Sequence, residues 1–176
     1  ELFEELLDAL DAYRLAPFVY TDDFASGTDF FAEIGPPPTL YHEDYLSKNE
    51  GWYRQVASLR DDIPGDIIQA CTFAADEAKL PEAKRVLQAQ FADRLTIHHL
   101  RSPKYLGRFL EFQNGAASKW TAVAALARQY DIGPEEIVAV GDDENDLSML
   151  RSAGLAVAMR NADYTVQRAA HVVTAS

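Results

Sequence analysis

Between Ile137 and Val173 the chain carries three short apolar runs, IVAV at 137–140, LAVAM at 155–159 and HVV at 171–173. Each is too short for an ordinary helix, and polar segments with helical spacing separate them. Strands that lack polar alternation are buried on both faces. Alternating with helices over short loops, they fold as a parallel sheet covered on both sides. The spacing predicts helices from about 145 to 152 and from 162 to 169, with Gly154 breaking the first. Upstream, Ser118 is placed to cap a helix that runs to about Tyr130. Its apolar face is Trp120, Val123, Ala124, Ala127 and Tyr130. Gly133 ends that helix and Pro134 opens a short helical turn.

The first hundred residues read differently. Leu2, Phe3, Leu6, Leu7 and Leu10 recur at helical spacing over residues 2–14, and APFVY at 16–20 is a short strand. Residues 21–46 read as loop with one short strand or turn, because GPPPT at 35–39 suits neither a helix interior nor a central strand. Residues 47–60 are expected to be a helix, capped by Ser47, with Trp52, Val56 and Leu59 on one face. Strands follow at 66–74, 94–100 and 107–112. A helix lies over 76–92, with Pro81 marking a kink or a late start. The expected class is α/β. A partial doubly wound parallel sheet begins near residue 106 and runs to 176, and a separate α+β unit covers 1–105. The join is near RSPKY at 101–105, where Pro103 interrupts pairing.

With 48% hydrophobic and 11% aromatic residues, the chain can build a true core. Its 16 basic and 28 acidic residues give a net charge of −12, which argues against nucleic-acid binding through a general basic surface. The same excess repels anionic substrates, so a phosphate-handling site here needs a metal and a few placed cations. No run approaches the roughly 18 apolar residues of a membrane span, and the acidic start ELFEELLDAL does not suit a signal peptide. The single cysteine, Cys71, has no internal disulfide partner and sits in an apolar strand, which fits a buried thiol in a reducing, cytoplasmic setting. His98 and His99 are adjacent in a strand and should point to opposite faces, which argues against a metal pair. His171, at a strand start, is given no role.

In a parallel α/β unit, strand C-termini and helix N-termini share the edge where ligands bind. Three polar segments fall there: NGAASK with Lys119, GDDEND at 141–146, and RNAD at 160–163. Acids in a first helical turn are ordinary charge matching. Four acids within five positions beside a lysine call for more. Asp142, the first polar side chain beyond the strand, suits a hard cation such as Mg²⁺, which takes oxygen ligands and keeps waters. Lys119 can supply charge to phosphate oxygens or to a neighbouring carboxylate, and Asn145 can donate to phosphate. Asp146 can hold Lys119 or a metal-bound water.

The stretch from Ser118 to Thr174 closely resembles the C-terminal core of the haloacid dehalogenase superfamily, and within it the Cof-like sugar-phosphate phosphatases. The matching motifs are S-K, then G-D-x-x-N-D-x-x-M, then A-G, then A-M-x-N-A. The resemblance is strong over 107–174 and weaker over 1–106, whose element order suits the inserted cap of that group. It implies Lys119 as the lysine that steadies nucleophile and phosphate, Asp142 as a Mg²⁺ ligand, Asn145 as a phosphate or lysine partner, and Asp146 as the second acid, also at the metal. It implies a small phosphorylated metabolite as substrate, with no membrane or nucleic-acid partner. Arg160 departs from the glycine common in A-M-G-N-A. Cap residues in a position to meet substrate are Tyr20, Asp22, Asp23, Tyr41, His42, Tyr45 and Trp52.

Such phosphatases attack phosphorus with an aspartate from a D-x-D-G-T motif. VYTDDFASGTD comes nearest here and does not fit, because Asp22 and Asp23 are adjacent and Gly-Thr comes too late. The expectation is a fragment, inactive alone, whose core sheet an N-terminal segment of the same protein completes. A phosphosugar mutase on the same scaffold, or a non-catalytic metabolite-binding module, are the alternatives.

Overall fold

Apolar residues three and four apart on an acidic background produce α1 (Leu2–Ala12) in the computed structural model, which describes residues 1–175. The chain forms two compact units, Glu1–Asn114 and a second that begins at Gly115.

The first unit is a six-stranded sheet of order β3-β2-β1-β4-β6-β5. Its strands are β1 (Pro17–Thr21), β2 (Phe30–Glu33), β3 (Tyr53–Val56), β4 (Ile67–Thr72), β5 (Leu95–Arg101) and β6 (Arg108–Asn114). All pairs are antiparallel except β2 with β3. Residues alternate between faces along each strand. Val19 therefore joins the aliphatic cluster of α1 and α3 (Leu80–Phe91), built on Leu10, Leu80, Leu87 and Phe91, while Phe18 joins an aromatic cluster on the other face. Helix α2 (Leu40–Lys48) supplies that second cluster with Tyr45, which stacks on Phe18 at 4.9 Å between ring centroids. Pro81 sits in the first turn of α3, so it marks a late start and not a kink.

Three expectations for this unit are overturned. Residues 21–46 hold a 3-10 turn at Asp23–Ser26, strand β2 and helix α2. The proline run leads into α2, whose cap is Thr39 accepting from the His42 amide, not Ser47. No helix spans 47–60. Gly51, with φ +84, turns the chain, and Tyr53–Val56 pairs in parallel with β2. Val56 and Leu59 pack as part of the aliphatic cluster, but Trp52 is 57% exposed. Finally, the strand expected at 107–112 is β6, paired on both sides within this antiparallel sheet, so the boundary falls at 114/115 and not near 105. Pro103 lies in the turn between two paired strands, where it interrupts nothing.

His42 is not a surface residue. It is 2% exposed beside Phe18 and Phe73, its Nδ1 meets Thr39 Oγ1 at 2.8 Å, and its Nε2 donates to the Ala16 carbonyl at 2.9 Å. Burial holds its pKa below the usual histidine value, against the opposing pull of that carbonyl. The unfolded chain therefore binds a proton first. The neutral, buried form contributes its full stability above about pH 6.5 and loses it as pH falls through the native pKa. In urea unfolding at pH 7.5 and 5.5, wild type should lose more stability on acidification than His42→Leu. Equal losses would show that His42 does not report the difference.

Cys71 is 2% exposed, and burial followed by the nearby Glu111 charge pushes its thiol up to about 12, which makes it a core residue. His98 and His99 are consecutive in the unbroken β5–β6 ladder, so they point to opposite faces of the sheet, and both are half-buried.

The second unit is a parallel sheet of order β7-β8-β9, from β7 (Val138–Gly141), β8 (Leu155–Ala158) and β9 (Val172–Val173). Its helices are α4 (Lys119–Arg128), α5 (Leu147–Ser152) and α6 (Tyr164–Ala169). Ala139, Ala156 and Ala158 face Leu150, Ala153, Ala162 and Val166 in a core of mostly small residues. Small side chains let helix and sheet backbones approach closely. His171 extends the pairing of β9 with β8, its Nδ1 accepting from the Ala156 amide at 2.9 Å. The opposite face differs from expectation. Val138, Val140, Leu155 and Val172 are each at least 41% exposed, so among the described residues only one face of this sheet is covered. Tyr130, expected on the buried face of α4, lies beyond the helix and is 68% exposed.

Candidate active site

The acidic run after β7 resolves into distinct tasks. Asp143 caps a 3-10 turn over Glu144–Asp146, its carboxylate accepting from the Glu144 amide at 2.7 Å. Burial, with the neighbouring carboxylates, raises its pKa. Asp146 turns back on its own loop. One oxygen accepts from the amides of Asp142 and Asp143, at 2.9 and 3.2 Å, and the other accepts from Lys119 Nζ at 2.5 Å. At 5% exposure, burial works against the ionised form of Asp146. The Lys119 ammonium and the two amides outweigh it and hold the carboxyl below its usual range.

Lys119 is delivered by the start of α4. Ser118 accepts from the Thr121 amide at 3.0 Å, and Thr121 Oγ1 returns the bond to the Ser118 amide at 2.9 Å, a reciprocal cap that fixes the first turn. Lys119 Nζ also lies 3.3 Å from Asn145 Oδ1. The Lys119 side chain is 49% exposed, which leaves it accessible to a ligand.

Asp142 is exposed at the tip of β7. Its Oδ2 accepts from Asn161 Nδ2 at 3.3 Å, while Met159 N donates to the Gly141 carbonyl at 2.9 Å. The loops after β7 and β8 are thereby joined at one edge of the sheet.

Lys119, Asp142, Asn145 and Asp146 thus come together, linked by the contacts above. The expected route to that meeting was wrong in one step, because the strand before Lys119 belongs to the other sheet. Asn161 lay in a segment assigned to this edge but was given no task. Its position in RNAD was the signal. Arg160 is exposed, and its guanidinium donates to the Ala175 carbonyl at 3.2 Å.

The donors fit a hard divalent ion in part. Asp142 offers an exposed oxygen ligand with unused lone pairs, whereas both oxygens of Asp146 are already engaged. Among the described residues no three His, Cys, Asp or Glu side chains are arranged to hold a metal, so a bound ion would keep waters or take further ligands. Of the residues expected in the other unit to meet substrate, His42 and Tyr45 are consumed by its core. Tyr20 and Tyr41 lean on the aromatic cluster, and Tyr20 OH is bonded to Tyr45 OH. Asp22 accepts from the Asp66 amide just before β4, and Asp23 accepts from the Ser26 hydroxyl within its own turn. No described helix is long and apolar enough to cross a membrane.

The chain is similar to known proteins over most of its length. A phosphoglycolate phosphatase of Methanoculleus marisnigri is 44% identical over 146 residues, 83% of this chain and 50% of that protein. A haloacid dehalogenase-like hydrolase from Bacteroides thetaiotaomicron superposes with a TM-score of 0.68 at 26% identity, covering 97% of this chain and 59% of that one. A subclass IIB sugar phosphatase of the same superfamily shares the fold, with a TM-score of 0.69 at 20% identity over 96% of this chain and 58% of that one. The chain therefore spans about half the length of these relatives. The profile of the haloacid dehalogenase-like hydrolases matches residues 1–176. On that match, the chain belongs to the haloacid dehalogenase-like hydrolases.

Proposed function

We propose that the whole protein is a Mg²⁺-dependent phosphatase of small phosphorylated metabolites, sugar phosphates foremost, acting in the cytoplasm. The observation that carries this reading is the Lys119 ammonium held between Asn145 and buried Asp146, beside exposed Asp142. A net charge of −12 repels an incoming phosphate, and this cation offsets the repulsion locally. Lys119 faces the phosphoryl oxygens, Asn145 orients Lys119, and Asp146 fixes both the lysine and the loop. Asp142, with Asp146 behind it, would hold the ion, which when bound neutralises phosphate charge. An aspartate outside these residues attacks phosphorus as the ester P–O bond breaks, and a second acid outside these residues gives the leaving oxygen the proton with which it departs as the alcohol. Water then cleaves the aspartyl-phosphate, releasing phosphate and restoring the carboxylate.

The first unit serves as the substrate-selecting cap, and an N-terminal segment of the same protein completes the core. The open side of β7, with Val138 60% and Val140 53% exposed, supports that reading, as does the greater length of the relatives. The names of the relatives indicate which substrates to try first, phosphoglycolate and sugar phosphates.

The 176-residue chain alone should show no Mg²⁺-dependent hydrolysis of an aryl phosphate. The full-length protein should hydrolyse members of a phosphorylated sugar and hydroxy-acid panel, and Lys119→Ala should abolish that activity. Turnover by the short chain would refute the placement of the nucleophile. Full activity in Lys119→Ala would refute the site.

A further inference from the structure

We infer that Asn161 is a positioning residue that aims the Asp142 carboxylate, and that Gln167 holds Asn161 in place. The inference rests on the proposed role of Asp142 as an ion ligand. Asp142 lies at the protein surface, where a carboxylate rotates freely and loses that freedom when it binds an ion. The Asn161 amide engages Oδ2 at 3.3 Å, which leaves Oδ1 and the remaining lone pairs for a cation. Partners of this kind, which touch the ligand and not the metal, set ligand direction.

The loop that carries Asn161 is braced on every side. Gln167 Nε2 donates to the carbonyls of Arg160 and Ala162, both at 2.9 Å, so one side-chain amide spans the residues flanking Asn161. Arg160 N donates to Thr174 Oγ1 at 3.0 Å, and Ala162 N to the Met159 carbonyl at 3.0 Å. Ala162 is 7% exposed, anchoring the loop in the core beside Val166. A surface loop with no task does not need a half-buried glutamine spending both its protons on it. Gln167→Glu keeps the shape and removes both donors, setting a carboxylate against two carbonyls.

The test is calorimetric titration of the full-length protein with Mg²⁺, alongside thermal melting without metal. Asn161→Ala should weaken Mg²⁺ binding by about tenfold, the scale of losses for groups behind a metal ligand. Its metal-free melting temperature should stay close to wild type, since the side chain is at the surface. Gln167→Glu should weaken binding in the same direction. In the ¹H–¹⁵N spectrum the Asn161 side-chain amide should shift on adding Mg²⁺ to wild type, and should not shift in Asp142→Asn. If wild type binds Mg²⁺, Asp142→Asn abolishes binding and Asn161→Ala binds as tightly as wild type, this inference fails and the ion site stands. If wild type and Asp142→Asn both fail to bind Mg²⁺, the ion site fails and takes the inference with it.

Discussion

Asp146→Ala is expected to eliminate phosphatase activity of the whole protein and to cost the fold about 2–4 kcal/mol, the range for removing a buried, charge-assisted acceptor. The side chain is 5% exposed and accepts three hydrogen bonds, from Lys119 and from the amides of Asp142 and Asp143. Its removal strands the two amides. Lys119, half-exposed, regains water but loses its direction. Asp146→Asn divides the effect, because one end of the amide can still accept while the other opposes either Lys119 or the loop amides. The pH dependence follows from the lowered native pKa of Asp146. The unfolded carboxyl binds its proton first on acidification, so the contribution is complete above about pH 4 and is lost as pH falls through the native value. Denaturant unfolding between pH 6 and 3 should therefore show wild type losing its advantage over Asp146→Asn. A constant gap across that range, or an active Asp146→Ala enzyme, would be inconsistent with the Lys119–Asp146 pair described here.

Gly141→Ala should be nearly as damaging, although it adds one methyl group. A Cβ at this position would lie 2.5 Å from the Asp146 Cβ and 2.7 Å from its Cγ. Carbon atoms in contact sit about 3.5–4.0 Å apart, so one partner must move. Gly141 is held in β7 opposite Ala158, and Asp146 is enclosed by its own loop, so neither yields cheaply. The expected cost is about 2–3 kcal/mol, toward the upper end for an overpacked site. Activity should fall further than the lost stability explains, because the displaced side chain is the one that holds Lys119. The double variant Gly141→Ala with Asp146→Gly should be distinctly less destabilised than the sum of the two singles, since glycine at 146 removes the Cβ, Cγ and oxygen that collide. Additive losses would place the damage from Gly141→Ala elsewhere in β7.

The sequence reading succeeded where a feature is encoded by neighbours along the chain. The cap at Ser118, the turn at Pro134 and the three strands of the second unit all lie within two residues of their expected positions, whereas the helix expected to end at Gly133 stops at Arg128 and the chain turns at Asp131, φ +56. It failed at 47–60, where Trp52, Val56 and Leu59 share helical spacing but the chain turns at Gly51 and Tyr53–Val56 adds to β2. It also failed to place β6, which looks like any half-buried strand until β4 and β5 pair with it.

The sequence alone determined that a strand ending at Gly141 runs into a polar loop, and that a capped helix begins at Lys119. Both follow from burial periodicity and local hydrogen bonding, which act over a few residues. Only the tertiary structure decided that Asp146 faces inward to grip Lys119, that His42 is core, and that Asn161 reaches Asp142. Those outcomes depend on which distant groups supply donors and exclude water. Such partners lie 19 or more positions away along the chain, beyond the reach of any local pattern.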